Sequence, residues 1–350
     1  MVRVPVAIVG ATGAVGQAVL WLLRDHPWWT VDALIASERS AGKRYRDVVR
    51  WVMPGPIPDA FADREVLGPD ADIQAPVIFS CVRSDLARDL EPVWTRRGHY
   101  VLTNASAYRM HPQVPLMIPE INADHIALIR TQTEFHPGWL VANPNCGVSG
   151  LAMVLGVLAR YWPLHRVIVT TLQAVSGAGL DGLAAVEIAD NVIPWIGGEE
   201  PKLETEPKKI LGTLRNGTVE LHPVTIAASC FRVPVRHGHT LSLYIESTPE
   251  MTPERVREVL HAFRPTADVA VLPTAPERPI LVWISNTRPQ PALDRDTDRG
   301  MTVHVGRIRG EPGRIRCAVL VHNLLRGAAG AVVLNAEWAY HSGCIGDGRP

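Results

Sequence analysis

Neither sign of charge predominates in this sequence: Lys and Arg together number 35, and Asp and Glu also number 35. Such a balance offers no broad positive field to a nucleic acid or an anionic membrane surface, so any anion must be held by local basic residues. Cysteine is sparse. Its five copies, Cys81, Cys146, Cys230, Cys317 and Cys344, include no C-x-x-C pair. An odd, scattered set in a chain with a large core argues against a disulfide framework and suits a reducing, cytoplasmic setting. No His/Cys cluster has ligand spacing, so no metal site is expected. No stretch reaches the ~18 uninterrupted apolar residues of a membrane span. The stretch from Arg3 to Leu23 is broken by Gly10, Thr12, Gly13, Gly16 and Gln17, and no small-residue cleavage site follows it, which argues against a secretory signal. Internal repeats and low-complexity tracts are also missing.

What is present suits two domains, because 350 residues exceed the roughly 250–300 at which one hydrophobic core stops growing. Val4 to Val9 is a β-branched run ending at Gly10, and Ala14 to Arg24 carries Val15, Val19, Leu22 and Leu23 on one helical face. Further short apolar strands at 31–36, 77–82 and 100–103 alternate with helical segments. The first half therefore predicts an α/β unit with a doubly wound parallel sheet of the Rossmann type. After Cys146 the texture changes. A helical pattern over 147–160 is followed by β-rich runs at 166–175, 219–228, 240–246, 280–284, 302–309 and 315–322. These predict a second α+β domain with a mostly antiparallel sheet. Helices are expected at 182–192, 253–263 and 327–340, and the segment 286–300 reads as an exposed loop.

Gly10-Ala11-Thr12-Gly13-Ala14-Val15-Gly16 lies where the first strand meets the first helix. There Gly10 can turn tightly, Gly13 lets backbone approach a pyrophosphate, and Gly16 allows close helix–strand packing, with the helix N-terminus facing the phosphates. Ser37-Glu38-Arg39-Ser40-Ala41-Gly42-Lys43 follows the second strand. The hydroxyls of Ser37 and Ser40 and the cations of Arg39 and Lys43 suit a ribose 2′-phosphate and favour NADP(H), although Glu38 is a residue that can hold an NAD ribose instead.

The segment Asn143-Pro144-Asn145-Cys146-Gly147 places a thiol just ahead of a helix. A helix N-terminus lowers a thiol pKa, and its free N–H groups can also stabilise a developing oxyanion. A second segment, Phe231 to Thr240, sets Arg232, Arg236, His237 and His239 around a Pro and a Gly. Either histidine can supply the base that a cysteine nucleophile needs. A third cluster, Glu199 to Lys209, reads by default as a solvated helix start.

In this order, with Asn104-Ala105-Ser106-Ala107-Tyr108-Arg109-Met110, Pro119-Glu120-Ile121-Asn122, Gln173-Ala174-Val175-Ser176-Gly177-Ala178-Gly179, Glu206, Lys209-Ile210-Leu211-Gly212 and Asn323-Leu324-Leu325-Arg326-Gly327-Ala328-Ala329-Gly330, these segments resemble the aspartate-β-semialdehyde dehydrogenase family, specifically its archaeal and fungal branch. The resemblance runs through nearly the whole chain. It implies an NADP(H)-binding domain over residues 1–146, with a C-terminal helical segment 323–350 packing back on it, and a catalytic and dimerisation domain over 147–322. It implies that Cys146 is the acyl-accepting nucleophile. His239, seven residues after Arg232, is chosen over His237 as general acid/base. Arg232 binds the substrate carboxylate, Glu206 its amino group, and Arg109 and Lys209 the phosphate. Gln173 and Asn145 orient the thioester. Gly10, Thr12, Gly13, Ala14, Val15, Gly16, Ser37, Arg39, Ser40, Lys43, Ser176, Gly177 and Asn323 fall on the cofactor side. The implied reaction converts β-aspartyl phosphate to aspartate semialdehyde and phosphate in a homodimer or homotetramer, with domain closure around the intermediate. Gly147-Val148, Pro207 and Val82-Arg83 depart from the family pattern. Other reductases of acyl-phosphates or acyl-CoA share the thiol logic: an acetylglutamyl-phosphate substrate is disfavoured by Asn143-Pro144-Asn145-Cys146 and the Glu206/Lys209 pair, whereas malonyl-CoA fits the same branch. An idle NADP-binding paralogue is disfavoured by the retained thiol, base and binding groups.

Overall fold

The computed structural model describes residues 3–180 and 182–346. Met1, Val2, Asp181 and residues 347–350, on which the segments 1–146, 323–350 and 147–322 partly fall, lie outside the described residues. The chain divides into two compact units. The first holds residues 3–115, 126–143 and 329–346, the second 116–125, 144–180 and 182–328.

In the first unit six parallel strands lie in the order β3-β2-β1-β4-β5-β6. They are β1 (Val4–Val9), β2 (Trp29–Ile35), β3 (Val66–Leu67), β4 (Val77–Ser80), β5 (Tyr100–Thr103) and β6 (Trp139–Ala142). Strand β1 pairs with β2 on one side and β4 on the other, so its last four residues are buried on both faces. That burial is why its sequence is continuously apolar rather than alternating. The chain reverses its winding direction between β1 and β4, the point at which ligands bind in open parallel sheets. Helix α1 (Ala14–Leu23) starts beside that point, and α2 (Ser84–Arg96) follows β4. The C-terminal helix Gly330–His341 belongs to this unit and is buried along most of its length. His26 Nε2 meets the Glu337 carboxylate at 2.8 Å, anchoring that helix next to β2.

The second unit is built on a mixed sheet in the order β10-β7-β11-β14-β13-β12. Its strands are β7 (Arg166–Gln173), β10 (Thr225–Arg232), β11 (His239–Glu246), β12 (Ile280–Val282), β13 (Val303–Glu311) and β14 (Arg314–Val321), with a separate hairpin of β8 (Thr213–Arg215) and β9 (Thr218–Glu220). The β10–β7 and β12–β13 pairings are parallel and the other three antiparallel. Helix α3 (Cys146–Leu158) is buried at every position from Gly147 onward, consistent with its apolar sequence on all faces. Helices α4 (Glu199–Ile210) and α5 (Pro253–Ala262) complete the unit.

Three expected elements differ. The segment 286–300, read as an exposed loop, holds the short helix Pro291–Asp294, and Asp294 is buried. The run 219–228 is split, because His222-Pro223 interrupts it and Pro cannot donate to a ladder. The helix expected over 182–192 shrinks to Ala185–Ile188, after which Asp190 adopts a left-handed φ of 56° and the Asn191 amide donates to the Glu187 carbonyl. Among the described residues no helix is long and apolar enough to cross a membrane, and no group of three or more His, Cys, Asp or Glu side chains could hold a metal ion.

Candidate active site

In the first unit the glycine turn has the geometry its sequence requires. Gly10 sits at φ +87°, and a Cβ there would stand 2.6 Å from the Cys81 carbonyl oxygen. A Cβ on Gly16 would stand 2.3 Å from the Gly10 carbonyl oxygen. Gly13 is the N-cap of α1 and brings no side chain to cover its first turn. This bare turn at the carboxyl end of β1 fits a dinucleotide pyrophosphate. Its frame is braced by Gln17, which donates to the carbonyls of Thr12 and Arg50, and by Tyr45, whose hydroxyl donates to the Ala11 carbonyl. Ser37, Arg39 and Lys43 lie exposed beyond β2, with Ser40 half-buried, so the cations of this loop are open to an anion. Arg109 also belongs to this unit, where it is buried and donates to the Asn104 carbonyl at 2.7 Å.

The second unit gathers the remaining expected residues. Cys146, the first residue of α3, has its Sγ 3.1 Å from His239 Nε2. His239, the first residue of β11, is fully buried, and its Nδ1 accepts the Ala174 backbone N–H at 3.0 Å. Burial, reinforced by the Arg232 charge, pushes its pKa down to about 3, so the ring is neutral. With Nδ1 already accepting, the single ring proton resides on Nε2 and faces the sulfur. In the other core thiols burial dominates: it raises Cys317 to about 12, and it raises Cys81 to about 12 and Cys230 to about 11 although amide groups of Asn104 and Gln173 donate to their sulfurs. Arg232, buried at the end of β10, donates from Nη1 to the Ala174 carbonyl at 2.7 Å. A Cβ on Gly177 would stand 2.9 Å from that same Nη1 and 3.2 Å from His239 Cε1, so only glycine leaves both groups room.

Asn145 is the N-cap of α3. Its Oδ1 accepts the N–H groups of Gly147 and Val148, while its own N–H donates to Glu206 at 2.7 Å. Those two helix N–H groups are therefore committed to the cap, which corrects the expectation that they face an oxyanion. The Asn145 amide donates to both oxygens of Glu199, and Gln173 Nε2 donates to one of them at 3.2 Å. Lys202 completes the set, 2.8 Å from Glu199. Burial works against the Glu199 charge, yet Lys202 and the two amides outweigh it and hold the carboxyl below its ordinary value.

Glu199 was not among the expected site residues, and the reading of Glu199–Lys209 as a solvated helix start is corrected: Glu199, Leu203, Glu206, Lys209 and Ile210 are all buried. The signal lay in their spacing. Glu199, Leu203, Glu206 and Ile210 recur at helical intervals, so the two acids share the face of two apolar residues. Lys209, three residues after Glu206, is brought down to about 7 by burial, against the opposing pull of Glu206. Of the expected cofactor residues in this unit, Asn323 donates to the Ser176 hydroxyl at 2.9 Å and accepts the Gly238 N–H at 2.9 Å. Ser176 also meets His237 Nδ1 at 2.9 Å, which places His237 on Ser176 rather than on the thiol.

The chain is similar to known proteins over nearly its whole length. The family model for the semialdehyde dehydrogenase NAD binding domain matches residues 5–129, and that for the semialdehyde dehydrogenase dimerisation domain matches residues 155–326. An aspartate-semialdehyde dehydrogenase of Archaeoglobus fulgidus is 43% identical over 341 residues, covering 96% of this chain and 97% of that protein. The chain belongs to the aspartate-semialdehyde dehydrogenase family. The enzyme of that name from Trichophyton rubrum is 40% identical, covering 97% of each chain. Among solved structures, aspartate semialdehyde dehydrogenase with NADP from Candida albicans superposes with a TM-score of 0.90 at 35% identity, over 98% of this chain and 100% of that one. Aspartate semialdehyde dehydrogenase II of Vibrio cholerae, complexed with ASA, gives 0.79 at 26% identity, with the same coverage.

Proposed function

We propose that this chain catalyses the NADPH-dependent reductive dephosphorylation of β-aspartyl phosphate to aspartate semialdehyde through a thioester on Cys146. The observation that carries this reading is the 3.1 Å approach of the Cys146 sulfur to His239 Nε2. A neutral imidazole with its proton on Nε2 donates to the sulfur and so favours the thiolate, the form that attacks.

The thiolate adds to the acyl carbon; a C–S bond forms, the C–O bond to phosphate breaks, and phosphate leaves with the electron pair. Bound NADPH supplies the hydride that reduces the thioester carbon, for which a thioester is a better acceptor than a carboxylate. Collapse of the resulting thiohemiacetal alkoxide returns the C–S electron pair to sulfur, and the Nε2–H of His239 again stabilises the anion. Overall the sulfur begins and ends as thiolate, so the general acid/base role expected of His239 narrows in this scheme to donation from Nε2–H to the sulfur. Arg232 holds the substrate carboxylate in a bidentate pair, Glu206 the amino group, and Lys209 and Arg109 the phosphate. Gln173 and Asn145, set by Glu199, keep the acyl group aligned. The glycine turn 10–16 holds the pyrophosphate of NADP(H), Ser37, Arg39, Ser40 and Lys43 its 2′-phosphate, and Ser176, Gly177 and Asn323 its nicotinamide end.

Residues 1–146 with the C-terminal segment form the cofactor domain of this scheme and 147–322 the catalytic and dimerisation domain, working in the cytoplasm as a homodimer or homotetramer. The association is through the open face of the mixed sheet, where Ile168 and Leu172 are 46% and 42% exposed. Purified protein should reduce NADP⁺ with aspartate semialdehyde only when phosphate is present, and Cys146→Ser should abolish that activity. Turnover that survives the substitution removes the covalent scheme. Phosphate-independent, CoA-dependent turnover moves the substrate to an acyl-CoA.

A further inference from the structure

The chain reaches Cys146 a second time. Beyond β14, residues Leu325–Ala329 form a single π-type turn, and the Gly327 N–H donates to the carbonyl of His322, five residues back, at 2.9 Å. Such turns carry one extra residue per winding and recur at functional sites. In this one the extra residue has a visible destination. A Cβ built on Gly327 would stand 2.7 Å from Cys146 Cβ, 2.9 Å from Cys146 Cα and 3.2 Å from its carbonyl oxygen. Two of those three atoms are backbone in the capped first turn of α3, so they give way only by a shift of that turn and not by rotation of a side chain. Gly327 therefore lies bare against the root of the nucleophile.

The neighbouring residue fixes the turn in that position. Arg326 is 2% exposed and forms a bidentate pair with Glu120, at 2.6 and 3.0 Å. The same guanidinium lies 3.2 Å from the Met153 sulfur, two turns along α3 from Cys146. Glu120 is itself tied to the chain just past α3, since Arg160 donates to its carbonyl at 3.0 Å. The short helix Pro119–Asn122 that carries it abuts α3 where Gly156 meets Ile121, at a place where a Cβ would stand 2.5 Å from Ile121 Cγ2. The turn is thus anchored to α3 at two points, one of them the nucleophile itself.

We infer that Gly327 is a positioning residue for the Cys146 sulfur, holding it on His239 Nε2, and that the buried Arg326–Glu120 pair keeps Gly327 in place. This rests on the reading of Cys146 as the nucleophile. An added methyl pushes Cys146 outward and lengthens the sulfur–imidazole contact, so the thiolate loses its donor. Misplacement of a reacting atom by about 1 Å costs on the order of a hundredfold in rate.

The test compares full-length wild type with Gly327→Ala and with Gly156→Ala, which disturbs the same helix away from the thiol. Two readouts are taken: kcat and KM for aspartate semialdehyde with NADP⁺ and phosphate, and the pH profile of Cys146 alkylation by iodoacetamide, followed on the Cys146 peptide. Gly327→Ala should lower kcat by about tenfold or more with KM within about twofold, and move the alkylation profile to higher pH. Gly156→Ala should lower thermal stability and leave the profile in place. A wild-type kcat and profile in Gly327→Ala overturns the proposal. If that variant does not fold, Arg326→Lys, which keeps the charge but loses the two-pronged contact, undergoes the same measurements, and an unmoved profile overturns it equally. Cys146→Ser separates the two readings: activity there defeats the nucleophile itself, whereas an inactive Cys146→Ser beside a wild-type Gly327→Ala defeats only the positioning role.

Discussion

Single side chains in this site take their character from what surrounds them. Lys209 is an ordinary lysine by sequence, yet burial brings it from 10.5 down to about 7. Its folded value lies below its unfolded one, so the unfolded chain holds the extra proton between those values and stability rises with pH across that window. The hold on phosphate proposed for it runs the opposite way, because only the ammonium attracts the anion. We predict that KM for phosphate climbs as pH is raised from about 6 to about 9, and that Lys209→Arg, charged throughout, flattens the climb. An equally steep profile in the arginine variant takes phosphate binding away from this residue. The residues alone left His237 and His239 open, and only the interval that the resembled family keeps after Arg232 favoured His239. The position of the ring proton was not legible, because the Ala174 N–H that fixes it comes from a residue 65 positions away.

At the scale of elements, α3 shows how a cap and a catalytic environment share atoms. Asn145 serves the first turn with its oxygen and Glu199 with its nitrogen. Asn145→Ala should cost about 1 kcal/mol of cap energy and lower Tm by about 2–4 °C. Asn145→Asp restores the acceptor, so Tm should recover relative to alanine, but its carboxylate confronts Glu199 and kcat should stay low. Recovery of both, measured by calorimetry and steady-state kinetics, shows that the link to Glu199 is dispensable. The long elements with strong periodicity, α1, α3 and α5, were readable within a few residues. Those that failed were controlled by local chemistry that periodicity does not register: Pro223 dividing a β-rich run, and Asp190 and Asn191 closing a helix after one turn.

For the whole molecule, a parallel doubly wound sheet was implied by alternating strands and helices, whereas its strand order, its last strand β6 and the mixed order of the second sheet were not. The parallel β12–β13 edge and the parallel β10–β7 pair join strands whose partners are set by packing over long intervals, which turn signals do not encode. We propose the face of that sheet bearing Ile168 and Leu172 as the one that carries self-association. Placing Asp at both positions should shift the protein to a smaller species by light scattering while far-UV circular dichroism is retained; an unchanged mass rules out this face.

Read alone, the order of residues determined the glycine turn and the thiol at a helix mouth, because each depends on neighbours within a few positions. Only tertiary structure decided that Glu199 commands the amides of Asn145 and Gln173, that the helix N–H groups beside Cys146 are already taken, and that Gly327 rests on that cysteine. The Glu199 and Gly327 contacts join residues tens to hundreds of positions apart, the cap by Asn145 is local but its amide is held by the distant Glu199, and burial fixes the charge, tautomer and room of each group.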